Sequence, residues 1–166
     1  MRAFLSLGSN IEPRRHLALA LTELRRRLAV VAVSPVYRTA PVGDDDQPDF
    51  WNLAAELATD GPPLALHREL RAIETALGRR RDPARRCGPR SVDIDLVLVA
   101  GLAGRFGDLE LPSPLVEREA FVAVPLAAIA PELRHPTIGV TLASLARAAV
   151  ARTARPPELV QVELTA

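Results

Sequence analysis

Apolar residues alternate with polar ones, shift to helical spacing and return to alternation along this chain, and each switch marks an element. Residues 3–7 (Ala-Phe-Leu-Ser-Leu) read as a first strand buried on at least one face, closed by the turn signal Gly8-Ser9-Asn10. Pro13 suits the first turn of a helix, and Leu17, Leu21, Leu24 and Leu28 then fall at helical spacing. Arg25, Arg26 and Arg27 lie toward its end, where cations suit the helix dipole, and are read as a solvated face. Residues 30–39 make a second strand, interrupted by Pro35, which marks an edge or a bulge. Residues 40–49 form a long loop whose triplet Asp44-Asp45-Asp46 is read as solvated rather than cation-binding. In a third strand, residues 50–59, Trp51, Leu53, Ala55 and Leu57 share one face; Phe50, Asn52, Ala54 and Glu56 share the other.

Gly61-Pro62-Pro63 opens a second helix with the buried stripe Leu66, Leu70, Ile73 and Leu77, and Gly78 ends it. Past the arginine-rich run 79–86 comes a fourth strand, ending in the apolar Leu96-Val97-Leu98-Val99. Beyond the Gly-rich connection 101–107, residues 109–114 are extended. Residues 117–129 read as a strongly apolar helix, or two helical turns, broken at Pro125. Residues 141–150 give a short helix, 152–157 a loop, and the alternation of Val160, Val162 and Leu164 a possible closing strand. The order β-α-β-β-α-β over residues 3–99 predicts an α+β, ferredoxin-like antiparallel sheet with two helices on one face. The helices of residues 115–150 would cover the other face, making three layers, α/β/α. The chain of 166 residues is read as one domain, with 151–166 as a tail or closing strand.

The stretch Gly88-Pro89-Arg90-Ser91-Val92-Asp93-Ile94-Asp95 adds chemistry to this outline. On a strand, Asp93 and Asp95 share one face while Val92, Ile94 and Leu96 take the other. Their Cβ atoms should lie roughly 7 Å apart, close enough to lean onto one or two hard divalent cations such as Mg²⁺. A solvated face is the plain alternative. Against it stands the preceding run, where Arg79, Arg80, Arg81, Arg85 and Arg86 precede the carboxylates. A polyphosphate with Mg²⁺ would bridge the two groups, its oxygens held by forked guanidinium bonds and its metals by aspartates. Phe50 beside Asn52 offers a planar heterocycle a stacking face and an amide edge, although an ordinary packed Phe with a capping Asn explains the pair equally.

Composition removes other chemistries. All 21 basic residues are arginine, so no P-loop lysine, protein-kinase lysine or Schiff base is available. One cysteine and three scattered histidines, His16, His67 and His135, argue against a zinc cage, and the lone cysteine excludes an internal disulfide and fits a reducing cytoplasm. A net charge of +1 exerts little pull on nucleic acid, and six aromatic residues (four Phe, one Trp, one Tyr) argue against an RNA-stacking sheet. No apolar run reaches the about 18 residues of a membrane span, and no signal-peptide pattern opens the chain.

Several short motifs recur here in one order: Leu7-Gly8-Ser9-Asn10, Tyr37-Arg38-Thr39 with Pro41 and Gly43, Gln47-Pro48-Asp49-Phe50-Trp51-Asn52, Ile73-Glu74 with Gly78-Arg79, Gly88-Pro89-Arg90 with Asp93-Ile94-Asp95, Leu111-Pro112, and Phe121 with Pro125-Leu126. In this the chain resembles the 6-hydroxymethyl-7,8-dihydropterin pyrophosphokinases of the folate pathway, over nearly all of residues 3–145. The resemblance implies transfer of pyrophosphate from ATP to the pterin's hydroxymethyl oxygen, with release of AMP. It implies that Asp93 and Asp95 hold two Mg²⁺ ions and that Arg79, Arg81 and Arg90 grip the triphosphate. Arg79, Arg90, Asp93 and Asp95 would thus form the catalytic set. Glu74 and Arg118 would stand on the ATP side, and Phe50, Asn52, Phe121, Thr39, Ala40 and Val42 would form the pterin pocket. The implied partners are these two small molecules, with no nucleic acid or membrane, for a cytoplasmic monomer or weak homodimer. The chain departs from the family pattern at Cys87, Asp108, Ser113 and Glu119, all on the nucleotide side. A divergent paralogue that binds or modifies a related pterin with weakened use of ATP is the alternative reading.

Overall fold

The computed structural model describes residues 1–43, 45–79 and 88–164. Strand β1 (Arg2–Ser9) is followed by helix α1 (Pro13–Arg27), β2 (Ala29–Val33), β3 (Val36–Thr39), β4 (Phe50–Ala58), α2 (Pro63–Ala76) and β5 (Asp93–Val99). A small hairpin of β6 (Gly104–Phe106) and β7 (Leu109–Leu111) precedes α3 (Leu115–Arg118), α4 (Ala120–Ile129), α5 (Leu142–Arg152) and β8 (Glu158–Val160). The main sheet has the order β5-β1-β4-β3-β8, with β2 also paired to β4, and every pair is antiparallel.

Strand parity sorts the side chains into two layers. Leu5, Leu7, Leu53, Leu57 and Ile94 face α1 and α2, where they meet Leu17, Leu21, Leu24, Leu70 and Ile73. Phe4, Ala54, Val97 and Leu98 face the opposite way, against Val116, Val122, Leu126 and Leu142. Small residues Ala123, Ala146 and Ala149 bring α4 and α5 together. Each large side chain removed from water here stabilises the fold by about 1.5–3 kcal/mol. With both faces filled in this way, one end of the second face can stay polar, and that end carries the site.

Three expectations are corrected. The strand expected over residues 30–39 is two strands, divided at Ser34-Pro35. Pro35 has no N–H to give, and Ser34 bridges the gap: its N–H donates to the Ala54 carbonyl at 2.8 Å and its hydroxyl accepts from the Ala54 N–H at 2.9 Å. The helix expected to break at Pro125 breaks instead at Glu119, whose extended backbone (φ −110°, ψ 121°) separates α3 from α4. Pro125 lies inside α4, buried, and the helix runs past it, closing with the Ala130 N–H on the Leu126 carbonyl at 3.0 Å. Within residues 3–99 the four expected strands become five, because the second is split, and the expected closing strand, β8, pairs with β3 to make six in the main sheet among the described residues. The closing strand itself is short, Glu158–Val160.

Candidate active site

Three strands set the floor of the site by register. Gly8 lies opposite both Asn52 on β4 and Asp93 on β5, and Ser6 lies opposite Asp95. One row across the sheet therefore reads Asn52, Gly8, Asp93, all on the face shared with Phe4 and Ala54. Above it opens a cavity of about 300 Å³, walled by Thr39, Ala40, Val42 and Phe50 on one side and by Leu115, Glu119 and Phe121 on the other. The break between α3 and α4 brings Glu119 and Phe121 to this wall.

The amide end is tightly fitted. Asn52 is buried and its Nδ2 donates to Thr39 Oγ1 at 2.7 Å. A Cβ on Gly8 would stand 2.7 Å from Asn52 Oδ1, so only glycine leaves room for this amide. Asn10 ties the rim together. Its Oδ1 accepts from the Arg90 N–H at 2.9 Å, while its Nδ2 donates to Gln47 Oε1 at 2.9 Å and to the Pro48 carbonyl at 3.1 Å. The Gly88-Pro89-Arg90 turn is thereby fixed beside β1, with the Arg90 guanidinium 5.9 Å from the centre of the Phe50 ring.

At the carboxylate end, arginines bridge three acids. Arg90 donates to Asp93 Oδ2, and Arg79 donates to both Asp93 Oδ1 and Glu74 Oε1. Glu74 is buried, accepts the Ile94 N–H at 2.8 Å and takes Arg71 on its other oxygen at 3.0 Å. Arg71 also stands 3.6 Å from Asp95 Oδ1. Arg79 reaches this position because α2 ends in a left-handed Gly78 (φ 78°). The Arg79 N–H then returns to the Glu74 carbonyl and the Gly78 N–H to that of Thr75, each at 3.0 Å.

These surroundings split the acids. Burial pushes Glu74 up to about 7, against the pull of the Ile94 N–H and Arg79. Burial and then the Asp93 charge raise Asp95 to about 6. Burial also acts on Asp93, but Arg79 and Arg90 outweigh it and hold Asp93 below the ordinary carboxylate range. Asp93 is thus firmly ionised, and Asp95 is an acid whose negative charge is met, among the described residues, by the looser contact with Arg71. A bound cation would supply a closer partner.

Residues 4–131 match the family model for 7,8-dihydro-6-hydroxymethylpterin-pyrophosphokinase (HPPK). The chain belongs to the HPPK family. It is 42% identical over 138 residues to the 2-amino-4-hydroxy-6-hydroxymethyldihydropteridine pyrophosphokinase of Pseudomonas aeruginosa, covering 81% of this chain and 84% of that one. To the protein of the same name from Methylorubrum extorquens it is 45% identical over 135 residues, covering 80% and 84%. Among solved structures, Plasmodium falciparum HPPK-DHPS superposes with a TM-score of 0.74 over 91% of this chain at 15% identity, a likeness of fold. This HPPK chain spans 43% of the length of that one.

Of the residues singled out in the HPPK sequence, Thr39, Ala40, Val42, Phe50, Asn52, Arg90, Asp93, Asp95 and Phe121 line one cavity. Glu74 and Arg79 join it through Asp93. Arg118 does not line this cavity; it lines two others, one of which shares Thr39, Ala40, Val42, Glu119 and Phe121 with it. Arg81 lies outside the described residues, as do Asp44, Arg80, Arg85, Arg86 and Cys87. Sequence reasoning passed over Arg71 and the contributions of Ser6 and Leu115 to the wall. The i, i+3 spacing of Arg71 and Glu74 on a helix was the available signal for the first.

Proposed function

We propose that the protein transfers the pyrophosphoryl group of ATP to the hydroxymethyl oxygen of 6-hydroxymethyl-7,8-dihydropterin, releasing AMP, as a step of folate synthesis. The observation that carries this reading is the row Asn52, Gly8, Asp93, which sets an aromatic cavity with an amide edge one strand away from a carboxylate pair. Phe50 and Phe121 supply faces for a bicyclic ring, and Asn52, held by Thr39, supplies donor and acceptor to its edge. The hydroxyl oxygen forms its bond to the β-phosphorus as the bond from that phosphorus to the α-phosphate oxygen breaks, and the hydroxyl proton passes to solvent. Such transfer asks a protein for alignment and charge rather than covalent help. Arg79 and Arg90, which hold Asp93 here, are the guanidinium forks in reach of the phosphates, with Arg81 as a further candidate.

The donor set suits Mg²⁺. Asp93 and Asp95 present hard oxygens to one cavity, and this ion takes one or two carboxylates and completes its shell with water and phosphate oxygens. Among the described residues no three His, Cys, Asp or Glu side chains gather as an all-protein cage would require. Two Mg²⁺ ions held by Asp93 and Asp95 would neutralise phosphate charge and acidify the hydroxyl.

The strand order β5-β1-β4 followed by β2 and β3 supports the ferredoxin-like reading, with the whole chain as one pyrophosphokinase domain and β8 as its closing strand. No described helix is long and apolar enough to cross a membrane. We take the enzyme to act in the cytoplasm, as a monomer or weak homodimer. Incubation with ATP, Mg²⁺ and the hydroxymethyl-dihydropterin should yield AMP and the pterin diphosphate in equal amounts. ADP in place of AMP, or AMP formation indifferent to the pterin, overturns the assignment.

A further inference from the structure

Arg71 belongs to none of the motifs by which the family is recognised, yet its guanidinium touches two of the three acids at the carboxylate end. Nη1 donates to Glu74 Oε2 at 3.0 Å, and Nη2 faces Asp95 Oδ1 at 3.6 Å, too far for a hydrogen bond but close enough for a strong charge contact. The three described arginines at this end are held differently. Arg79 and Arg90 leave from turns and donate directly to Asp93. Arg71 springs from the interior of α2 and is anchored on Glu74, which is itself fixed by the Ile94 N–H at 2.8 Å. Its side chain is 33% exposed, and beyond it α2 borders an open cavity of about 590 Å³ that also includes Arg68 and Asp108.

We infer that Arg71 is a positioning residue that serves as the resident counter-cation of Asp95. It neutralises that carboxylate while the site is empty, keeps it from gathering stray divalent cations, and gives it up without leaving Glu74 when a cation arrives with a polyphosphate. The inference rests on the reading of Asp93 and Asp95 as metal carboxylates. The loose contact with Asp95 and the closer one with Glu74 make the exchange possible: the first is lost at little cost and the second keeps the side chain in place. Two like charges cannot both occupy Asp95 without repulsion. Removing the guanidinium therefore strengthens metal binding, a direction that a merely structural role for Arg71 would not give.

The test is Mn²⁺ binding to the nucleotide-free full-length protein, followed by electron paramagnetic resonance of the free ion. Arg71→Gln and Arg71→Met should each bind Mn²⁺ about fivefold more tightly than the wild type, the order expected for one charge at contact distance in a partly exposed setting. Arg71→Lys should restore wild-type affinity, and Arg147→Gln, which removes a charge from α5, should leave it unchanged. The gain should vanish when Arg71→Gln is combined with Asp95→Asn. Unchanged or weaker Mn²⁺ binding in either variant, with wild-type circular dichroism and melting temperature, overturns the inference, as does a gain that persists without Asp95. Should Asp95→Asn alone leave Mn²⁺ affinity at the wild-type level, the metal assignment itself falls and takes this inference with it; normal weakening by Asp95→Asn beside an inert Arg71→Gln refutes the role of Arg71 alone.

Discussion

A methyl group at Gly8 is enough to test the pterin end of the site. It would press on Asn52 Oδ1 from 2.7 Å and turn the amide away from Thr39. Gly8→Ala should weaken pterin binding about tenfold, the worth of one well-placed hydrogen bond, and lower stability by about 1 kcal/mol through the lost Asn52–Thr39 bond. Fluorescence titration reads the first quantity, and an unaltered dissociation constant would remove Asn52 as the reader of the ring edge. At the other end, Asp95→Asn should reduce AMP formation by about a thousandfold, in keeping with the loss of a group that places charge on the transferring phosphates. It should not lower stability at pH 7. The folded-state pKa of Asp95 is raised from 3.8 to about 6, so ionisation of Asp95 works against the fold increasingly as pH rises from 3.8 to 6 and fully above it. Calorimetry of the variant at pH 7 should give a melting temperature equal to or above that of the wild type. The pairing of Asp93 with Asp95 was legible because strand parity is a two-residue rule that needs no tertiary information. Arg71 was not, because a polar residue beside a leucine stripe reads as solvated face until the neighbouring strand is placed against it.

At the level of elements, the end of α2 couples stability to placement. Gly78 adopts φ 78°, and the chain reversal it allows brings Arg79 back over Glu74 and Asp93. Gly78→Ala should cost about 1 kcal/mol in urea unfolding. The same change should raise the KM for ATP about threefold or more if the direction of Arg79 matters for phosphate binding, since one charge-assisted contact is worth at least that. A variant destabilised as expected but with an unchanged KM would separate the turn from the site. That helix end could be anticipated from Gly78 itself, as could the interruption at Pro35. The bulge on β5 could not. Phe4 pairs with Leu98 and Leu5 with Leu96, so Val97 is an extra residue that shifts parity and sends both Val97 and Leu98 to the α4 face. Its carbonyl is taken by the Ser113 N–H at 2.7 Å, a partner sixteen residues away in sequence. In an unbroken apolar run no side chain announces such a shift. Pro125 misled for the converse reason: a local rule ends helices at proline, but burial of α4 against the sheet outweighs one missing donor.

For the whole molecule, the sheet is held between two apolar layers, and the layer of α4 and α5 is closed by a buried histidine. His135 lies in the connection between them, its N–H donating to the Val140 carbonyl at 2.8 Å and its own carbonyl accepting from Gly139 at 2.9 Å. The ring is buried, with Nδ1 3.1 Å from Thr137 Oγ1 and Nε2 3.7 Å from Glu117 Oε1. Burial lowers its pKa below the ordinary 6.5, and the nearby Glu117 charge only partly offsets this. The unfolded chain therefore binds a proton at this ring before the folded one does. By linkage, the contribution of His135 to stability is complete above pH 6.5, declines as pH falls from there toward the folded-state pKa, and does not decline further below it. His135→Phe fills the same space without a titrating group. Urea unfolding of both proteins at about pH 7.5 and about pH 5 isolates this one ring from the carboxylates that titrate in both. The wild type should lose stability relative to the variant over that interval. A difference that stays constant, or grows in favour of the wild type on acidification, would show that the layer of α4 and α5 admits the charged ring.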